Sequence, residues 1–348
     1  MTPTPRLLAV STAVPPYTLG QAEVRDSARR LFKDRDTEIE RLLPAFDNAG
    51  IETRYSCVPL AWYDDAHGWV EKNRLYLEYA VSLLERAASE CLARAGLEAA
   101  AVDVVIVVST SGIATPSLDA RVMPRLGLRP DVERLPVFGL GCAGGVLGLA
   151  RAAEMALAVP GRRVLFLVVE LCGLTFRRND RSNSNVIATV LFGDGAAAAL
   201  VACEGDGPAI TGWGEHTWPD TLDIMGWNIK EDGFGVLFSR DIPRIVRREM
   251  RAAVDHYLDV RGLSLAEIDG FICHPGGAKV IGAMEAALGL PPGGLDHARA
   301  VLRDYGNMSA ATVMFVLQRV LAERPAGRYL MSTLGPGFTA AFLTIEME

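Results

Sequence analysis

Two stretches of the chain are almost continuously apolar over strand length, "VDVVIVVS" at 102–109 and "RRVLFLVVEL" at 162–171. Unbroken apolar runs of that length predict strands buried on both faces. Between such runs stand longer segments with apolar residues at helical spacing, "LYLEYAVSLLERAASECLARAG" at 75–96 and "REMRAAVDHYLDVRG" at 248–262. Strand and helix patterns that alternate along a chain predict an α/β fold.

The pattern also repeats. "LEAAAVDVVIVVSTSG" (97–112) has a counterpart in "LSLAEIDGFICHPGG" (263–277), and Asp103 aligned on Asp269 gives an offset of 269 − 103 = 166. In the same order, "GCAGGVLGLARAAEMALAVPGRRVLFLVVE" (141–170) pairs with "GNMSAATVMFVLQRVLAERPAGRYLMSTLG" (306–335), and "FGDGAAAALVA" (192–202) with "GPGFTAAFLTI" (335–345). Three matches in one order read as a duplicated unit. The halves divide in the Gly/Pro/acidic stretch "CEGDGPAI", giving an N-terminal half of 1–207 and a C-terminal half of 208–348. A site is expected where strand ends from both halves converge. Those ends are Ser109 to Gly112, Glu170 to Cys172, His274 to Gly277 and Gly335 to Phe338.

Composition narrows the function. The 348 residues carry a net charge of −7, which argues against a general nucleic-acid binder. No apolar run approaches the ~20 residues of a membrane-crossing helix, so no integral membrane association is expected. The first residues lack the pattern of a secretory signal. Six cysteines at 57, 91, 142, 172, 203 and 273 include no Cys-x-x-Cys pair, so no metal site is expected and a reduced cytoplasmic setting is.

Three residues then carry candidate chemistry. Cys142 sits in "GLGCAGG" at a predicted helix entrance. Its glycines allow a tight turn and close packing of backbone or ligand, and a helix N-terminus lowers a thiol pKa. A small buried residue at a helix contact is the competing reading. His274 ends an apolar run before Pro275, Gly276 and Gly277, placed as a general base or oxyanion donor or as a loop histidine with a structural bond. Asn307 opens a helix after Gly306, as an N-cap or as an amide donor toward a carbonyl oxygen. The tight loop of Gly335, Pro336 and Gly337 could bring backbone N–H groups to the same place.

"GLGCAGG", "LFGDGAAA", "HPGG", "YGNMSAAT" and "GPGFTAAF", in that order and with 33 residues from His274 to Asn307, resemble the type III polyketide synthases, the chalcone synthase-like family, over nearly the whole chain. The resemblance implies a thiolase-like αβαβα fold, a homodimer, and a site reached through a narrow pantetheine tunnel. It implies acyl-CoA and malonyl-CoA as substrates and no cofactor. It makes Cys142 the acyl-accepting nucleophile, with His274 and Asn307 stabilising a malonyl-derived enolate. Phe192 matches a gatekeeper, and Val236 falls on a second gate that is phenylalanine in the family, so a widened passage is expected. Thr115 falls where plant enzymes reach into the partner subunit, and Thr175 on a cavity-lining threonine. Arg41 and Arg54 remain of the basic CoA mouth, where Pro44 and Asn48 replace basic residues and Lys279 could contribute. The segments around 168–195 and 217–243 look similar to bacterial alkylpyrone and alkylresorcinol synthases, implying a long-chain starter. The alternatives are a ketoacyl synthase III-like single condensation, disfavoured by Pro-Gly-Gly after the histidine, and an acyl-CoA thioesterase.

Overall fold

The two apolar runs become parallel neighbours in the sheet. Strand β4 (Val104–Val108) is buried at every position and pairs with β6 (Arg163–Leu171), Val104 opposite Val164. The structure, a computed structural model, describes residues 3–32, 40–323 and 325–348. The remaining strands are β1 (Arg6–Ala13), β2 (Tyr17–Gly20), β3 (Thr53–Ser56), β5 (Glu133–Val137), β7 (Asp194–Ala202), β8 (Ala209–Thr217), β9 (Met225–Lys230), β10 (Gly233–Phe238), β11 (Gly270–Cys273), β12 (Gly327–Gly335) and β13 (Thr339–Met347). The helices are α1 (Gln21–Leu31), α2 (Pro44–Asp47), α3 (Trp69–Ala95), α4 (Leu118–Leu126), α5 (Gly144–Ala158), α6 (Asn183–Leu191), α7 (Ile242–Asp259), α8 (Ala278–Leu288), α9 (Asp296–Tyr305) and α10 (Thr312–Ala322).

Nine strands join in the order β11-β12-β13-β8-β1-β7-β6-β4-β5. The order is symmetric about the junction of β8 with β1, with β5 added at one edge. From β4 inward the pairings run parallel to β6, antiparallel to β7 and antiparallel to β1. From β11 inward they run parallel to β12, antiparallel to β13 and antiparallel to β8. The two half-sheets meet at one paired position, Arg6 with Ala209. The repeat read from the sequence is therefore a structural one. Short helical turns recur with it, Ala99–Ala101 with Leu265–Glu267 and Gly141–Ala143 with Ser309–Ala311.

Alternation along β4 sorts the layers. Val104, Ile106 and Val108 face a core shared with α5 and α10, whereas Val105 and Val107 pack under α3. Helices α7, α8 and α9 add their apolar faces to the larger core. The result is an αβαβα stack with α5 and α10 as its central layer, the thiolase-like arrangement. That central core draws on both halves, so each half completes the other. Among the described residues, no helix is long and apolar enough to cross a membrane.

Candidate active site

Cys142 lies in the single helical turn Gly141–Ala143 that feeds α5. Gly141 has φ +48°, and a Cβ there would stand 2.6 Å from Pro336 Cδ. A Cβ on Gly145 would stand 2.4 Å from the Ala310 carbonyl oxygen. These glycines thus let the thiol-bearing turn press against the matching turn of the other half. Of the two readings open from the sequence, backbone or ligand, the close packing of backbone is present at Gly141 and Gly145. Gly335 serves the same contact, since its Cβ would meet the Leu140 carbonyl oxygen at 2.5 Å. Thr333 Oγ1 donates to the Cys142 carbonyl at 2.7 Å and fixes the turn from β12.

The thiol is buried and faces Ser309 Oγ at 3.5 Å. Burial pushes its pKa up to about 12, opposite to the direction expected from a helix entrance alone. His274 follows β11, its N–H donating to the Ser332 carbonyl at 2.9 Å. Burial lowers its imidazole to about 4, and neither ring nitrogen has a hydrogen-bond partner among the described residues. At neutral pH both groups are uncharged. A proton moved from the thiol to the imidazole would create both charges together, each the partner that burial denies the other.

Asn307 is held from several directions. The Ser309 N–H donates to its Oδ1 at 2.8 Å, and its Nδ2 donates to the Gly276 carbonyl at 3.2 Å. The two bonds fix which end of the amide is nitrogen and leave one N–H to give. The backbone of Asn307 pairs with that of Phe192 in an isolated parallel bridge, its N–H donating to Leu191 O at 2.8 Å. Cys142, His274 and Asn307 line one narrow cavity of about 20 Å³ with Gly276, Phe238 and Met225. The capping and the functional readings of Asn307 are therefore compatible: Oδ1 orders the turn while Nδ2 stays at the cavity.

A second chamber of about 40 Å³ opens beside the thiol, lined among others by Cys172, Phe192, Trp227, Val236 and Pro336. Val236, expected at a second gate, lines this chamber together with Phe192. Trp227 is its direct cross-strand partner in the β9–β10 hairpin. The indole donates to the Thr110 carbonyl at 3.0 Å and meets Phe192 edge-to-face, ring centres 6.2 Å apart. Sequence reading missed Trp227. The two-residue turn Glu231-Asp232 before Gly233 was the available signal, because a hairpin closed there sets 227 opposite 236.

Behind Phe192 a mostly apolar pocket of about 60 Å³ contains Cys172 and Thr175, with Leu19, Val24, Leu31 and Phe176. Thr175 spends its hydroxyl on the Cys172 carbonyl at 2.7 Å. Arg54, expected at the CoA mouth, is instead buried under Phe192. It donates to the carbonyls of Thr189 at 2.8 Å, Val190 at 2.6 Å and Phe192 at 2.9 Å, and to the Gln21 side chain. Burial lowers its pKa to about 10. A guanidinium on the last carbonyls of α6 suits the negative end of that helix and clamps the backbone of Phe192.

Outside the thiol cavity, and sharing Gly276, Phe238, Ile242 and Val280 with it, lies a vestibule of about 740 Å³. Its walls include Arg41, Pro44, Asn48, Gly277 and Lys279, together with Arg240, a cation the sequence reading did not name. Arg41, Arg240 and Lys279 are exposed and have no ion-pair partner among the described residues. Two predicted residues stay apart. Thr115 is exposed beside Ile113, ahead of β5, and lines none of these cavities. Gly337 accepts from Thr221 Oγ1 on its carbonyl at 3.0 Å, and of the 335–337 loop Pro336 lines the chamber beside the thiol.

One carboxyl went unassigned in the sequence. Glu170, fully buried at the end of β6, accepts from the Thr110 N–H at 3.0 Å, and the Thr110 hydroxyl accepts from the Gly141 N–H at 3.1 Å. Burial raises Glu170 to about 7, and its other oxygen has no partner. Through Thr110 the Glu170 carboxyl ties β6 to the turn that carries the thiol.

Residues 3–205 match the family described as "Chalcone and stilbene synthases, N-terminal domain", and residues 214–343 match its C-terminal domain. A "Putative chalcone synthase" of Bacillus subtilis (strain 168) is 38% identical, covering 98% of each chain. The "1,3,6,8-tetrahydroxynaphthalene synthase" of Streptomyces peucetius subsp. caesius is 38% identical over 97% of this chain and 92% of the relative. Among solved structures, the 1,3,6,8-tetrahydroxynaphthalene synthase of Streptomyces coelicolor A3(2), described as a bacterial type III polyketide synthase, superposes with a TM-score of 0.94. It is 28% identical and matches over 99% of both chains.

Proposed function

Since the chain belongs to the chalcone and stilbene synthase family and is a type III polyketide synthase, a CoA-dependent enzyme that forms carbon–carbon bonds, we propose that Cys142, His274 and Asn307 are its catalytic set. Supporting this is one observation above others: a thiol, an unpartnered imidazole and a fixed amide share a single buried cavity. Cys142 attacks the carbonyl of an acyl-CoA, and its proton passes to His274 as CoA leaves. Malonyl-CoA then loses carbon dioxide while His274 and the free Asn307 N–H hold the enolate oxygen, each positioned donor contributing about 3 kcal/mol. The carbanion attacks the Cys142 thioester, and the cycle repeats before ring closure.

The vestibule cations Arg41, Arg240 and Lys279 hold the phosphates of CoA, with Gly276 and Gly277 along the pantetheine path. Phe192 and Val236 with Trp227 bound the growing chain. The starter is a long-chain acyl group and the product an alkylpyrone or alkylresorcinol. The apolar lining behind Phe192 supports this, because each buried methylene is worth about 0.8 kcal/mol. A second reading, a malonyl starter and an aromatic product like that of the Streptomyces relatives, draws support from the small inner chambers of about 20 and 40 Å³. The protein acts as a homodimer joined through the exposed edge strand β5 and the apolar residues Ile113 and Phe138. It works in the cytoplasm, where its six free cysteines stay reduced.

One assay separates the readings. The enzyme receives labelled malonyl-CoA with and without lauroyl-CoA, and products are read by mass. Alkylated polyketides only in the presence of lauroyl-CoA are expected. Equal product from malonyl-CoA alone replaces the first reading with the second, and free lauric acid as sole product defeats both.

A further inference from the structure

Helix α7 begins at the vestibule and leaves it. Arg240, Ile242 and Pro243 line the opening, and the helix then runs outward with Val246, Met250, Ala253 and Val254 buried. On the opposite side it presents Arg244, Arg247, Arg248 and Arg251, all exposed. From 239 to 255 the chain carries five arginines against Asp241, Glu249 and Asp255, a local excess of 5 − 3 = +2 on a protein of net −7. Among the described residues Arg247 has no ion-pair partner, and Arg244, Arg248 and Arg251 pair with Asp241, Glu249 and Asp255 of their own segment. Such surface pairs are worth at most about 1 kcal/mol and are readily exchanged.

A free CoA does not account for this stripe. The vestibule rim already offers Arg41, Arg240 and Lys279 for its phosphates. Arg251 lies eight residues beyond Pro243, about 12 Å further along the helix at 1.5 Å per residue. Cations at that distance face solvent and would meet a larger anionic body whose acyl group still enters the vestibule.

We infer that this face of α7 docks an acidic acyl carrier protein, whose acylated phosphopantetheine arm threads the vestibule to Cys142. The inference rests on the acyl-transfer reading above. It adds a protein-borne thioester as starter donor. In the step, Cys142 Sγ forms a bond to the acyl carbon as the bond from that carbon to the arm's sulfur breaks. The thiol proton, held meanwhile by His274, leaves on the arm's thiol. Opposite surface charge speeds encounter and orients the carrier, and it weakens with salt.

The test uses a bacterial fatty-acid acyl carrier protein in holo and lauroyl forms, with wild-type enzyme and the double variant Arg247→Glu with Arg251→Glu. Neither residue lines the cavities. Binding of fluorescent holo-carrier, read by anisotropy, requires no turnover. The wild type is expected to bind it and to use the lauroyl form with labelled malonyl-CoA. The variant should lose at least tenfold in carrier affinity and in KM for the lauroyl carrier, while kcat/KM for lauroyl-CoA stays within twofold. Absence of wild-type binding overturns the inference, as does unchanged affinity in the variant, or an equal loss with lauroyl-CoA. Variant-sensitive binding to phosphatidylglycerol vesicles without carrier binding also overturns it and makes the face a lipid contact. Carrier binding with no turnover of either lauroyl donor leaves docking intact and defeats the long-chain starter reading instead.

Discussion

The turns Gly141–Ala143 and Ser309–Ala311 descend from the same repeated element, yet they differ in what they carry. The first holds a thiol at the mouth of α5 and is steadied from outside, by Thr333 on its carbonyl and Thr110 on its N–H. The second is bonded from within as well: Asn307, itself anchored to Gly276, accepts from the Ser309 N–H, and Thr312 bonds both the Met308 N–H and the Ser309 carbonyl. Ser309 takes a left-handed backbone, φ +48°, in doing so. On the roles proposed for Cys142 and Asn307, the difference is a division of labour. A nucleophile must accept and release a covalent guest, so its side chain is left without bonds beyond one long contact to Ser309. A donor acts by staying still, and its amide is bonded at both ends.

Substitutions can break that comparison. Cys142→Ala is expected to abolish chain growth, read by product mass, while malonyl-CoA decarboxylation, read as released carbon dioxide, persists in part. Loss of both would assign the thiol a share of the enolate step. Asn307→Asp keeps the acceptor for Ser309 and removes the donor. A fall of about 100-fold in kcat per folded molecule is expected, with a lowered melting temperature because a carboxylate oxygen then faces the Gly276 carbonyl. If stability collapses and kcat per folded molecule holds, the residue is a cap only.

Next in size is the contact between the turns. Gly145→Ala forces a methyl against the Ala310 carbonyl, and about 1–3 kcal/mol of stability should be lost in urea unfolding. An unchanged midpoint would mean that the halves separate freely. Acid titration sharpens the difference further. His274 is depressed to about 4 from the ordinary 6.5, so the unfolded chain binds the proton first and wild-type stability falls as pH drops from 6.5 to 4. Glu170 is raised to about 7 from 4.5, so its contribution is present below 4.5 and lost as pH rises through 7. His274→Gln should therefore lose less stability on acidification, and Glu170→Gln less on passing from pH 4.5 to 7. Parallel curves for variant and wild type would refute both assignments. Smallest is Ser309→Ala: without the hydroxyl beside Sγ, alkylation of Cys142 by iodoacetamide should slow a few-fold.

The fold was largely legible because duplication writes the same pattern twice. Unbroken apolar runs announced β4 and β6, and the offset between Asp103 and Asp269 anticipated the mirrored strand order. The candidate set was legible because glycine and proline mark the turns around Cys142, His274 and Asn307. What escaped depends on contacts between elements that local pattern does not record. Arg54 stands in a stretch that reads as a basic mouth, but pairing of β2 with β3 turns it inward beneath Phe192. Trp227 escaped because its importance lies across the hairpin, opposite the small Val236. The sign of the Cys142 shift escaped because burial outweighs the helix entrance, and burial belongs to the whole stack.

The bridge between Phe192 and Asn307 has a consequence for timing. With its backbone tied to Asn307 and clamped by Arg54, the phenyl ring can yield to a guest only by turning about its own side-chain torsions. Rotations of that kind finish in picoseconds to nanoseconds where they are unhindered, against turnover in enzymes at about 10 per second. In the gating role proposed for Phe192, a ring turning on that scale would sort guests by fit at equilibrium, and its rotation would not set the pace.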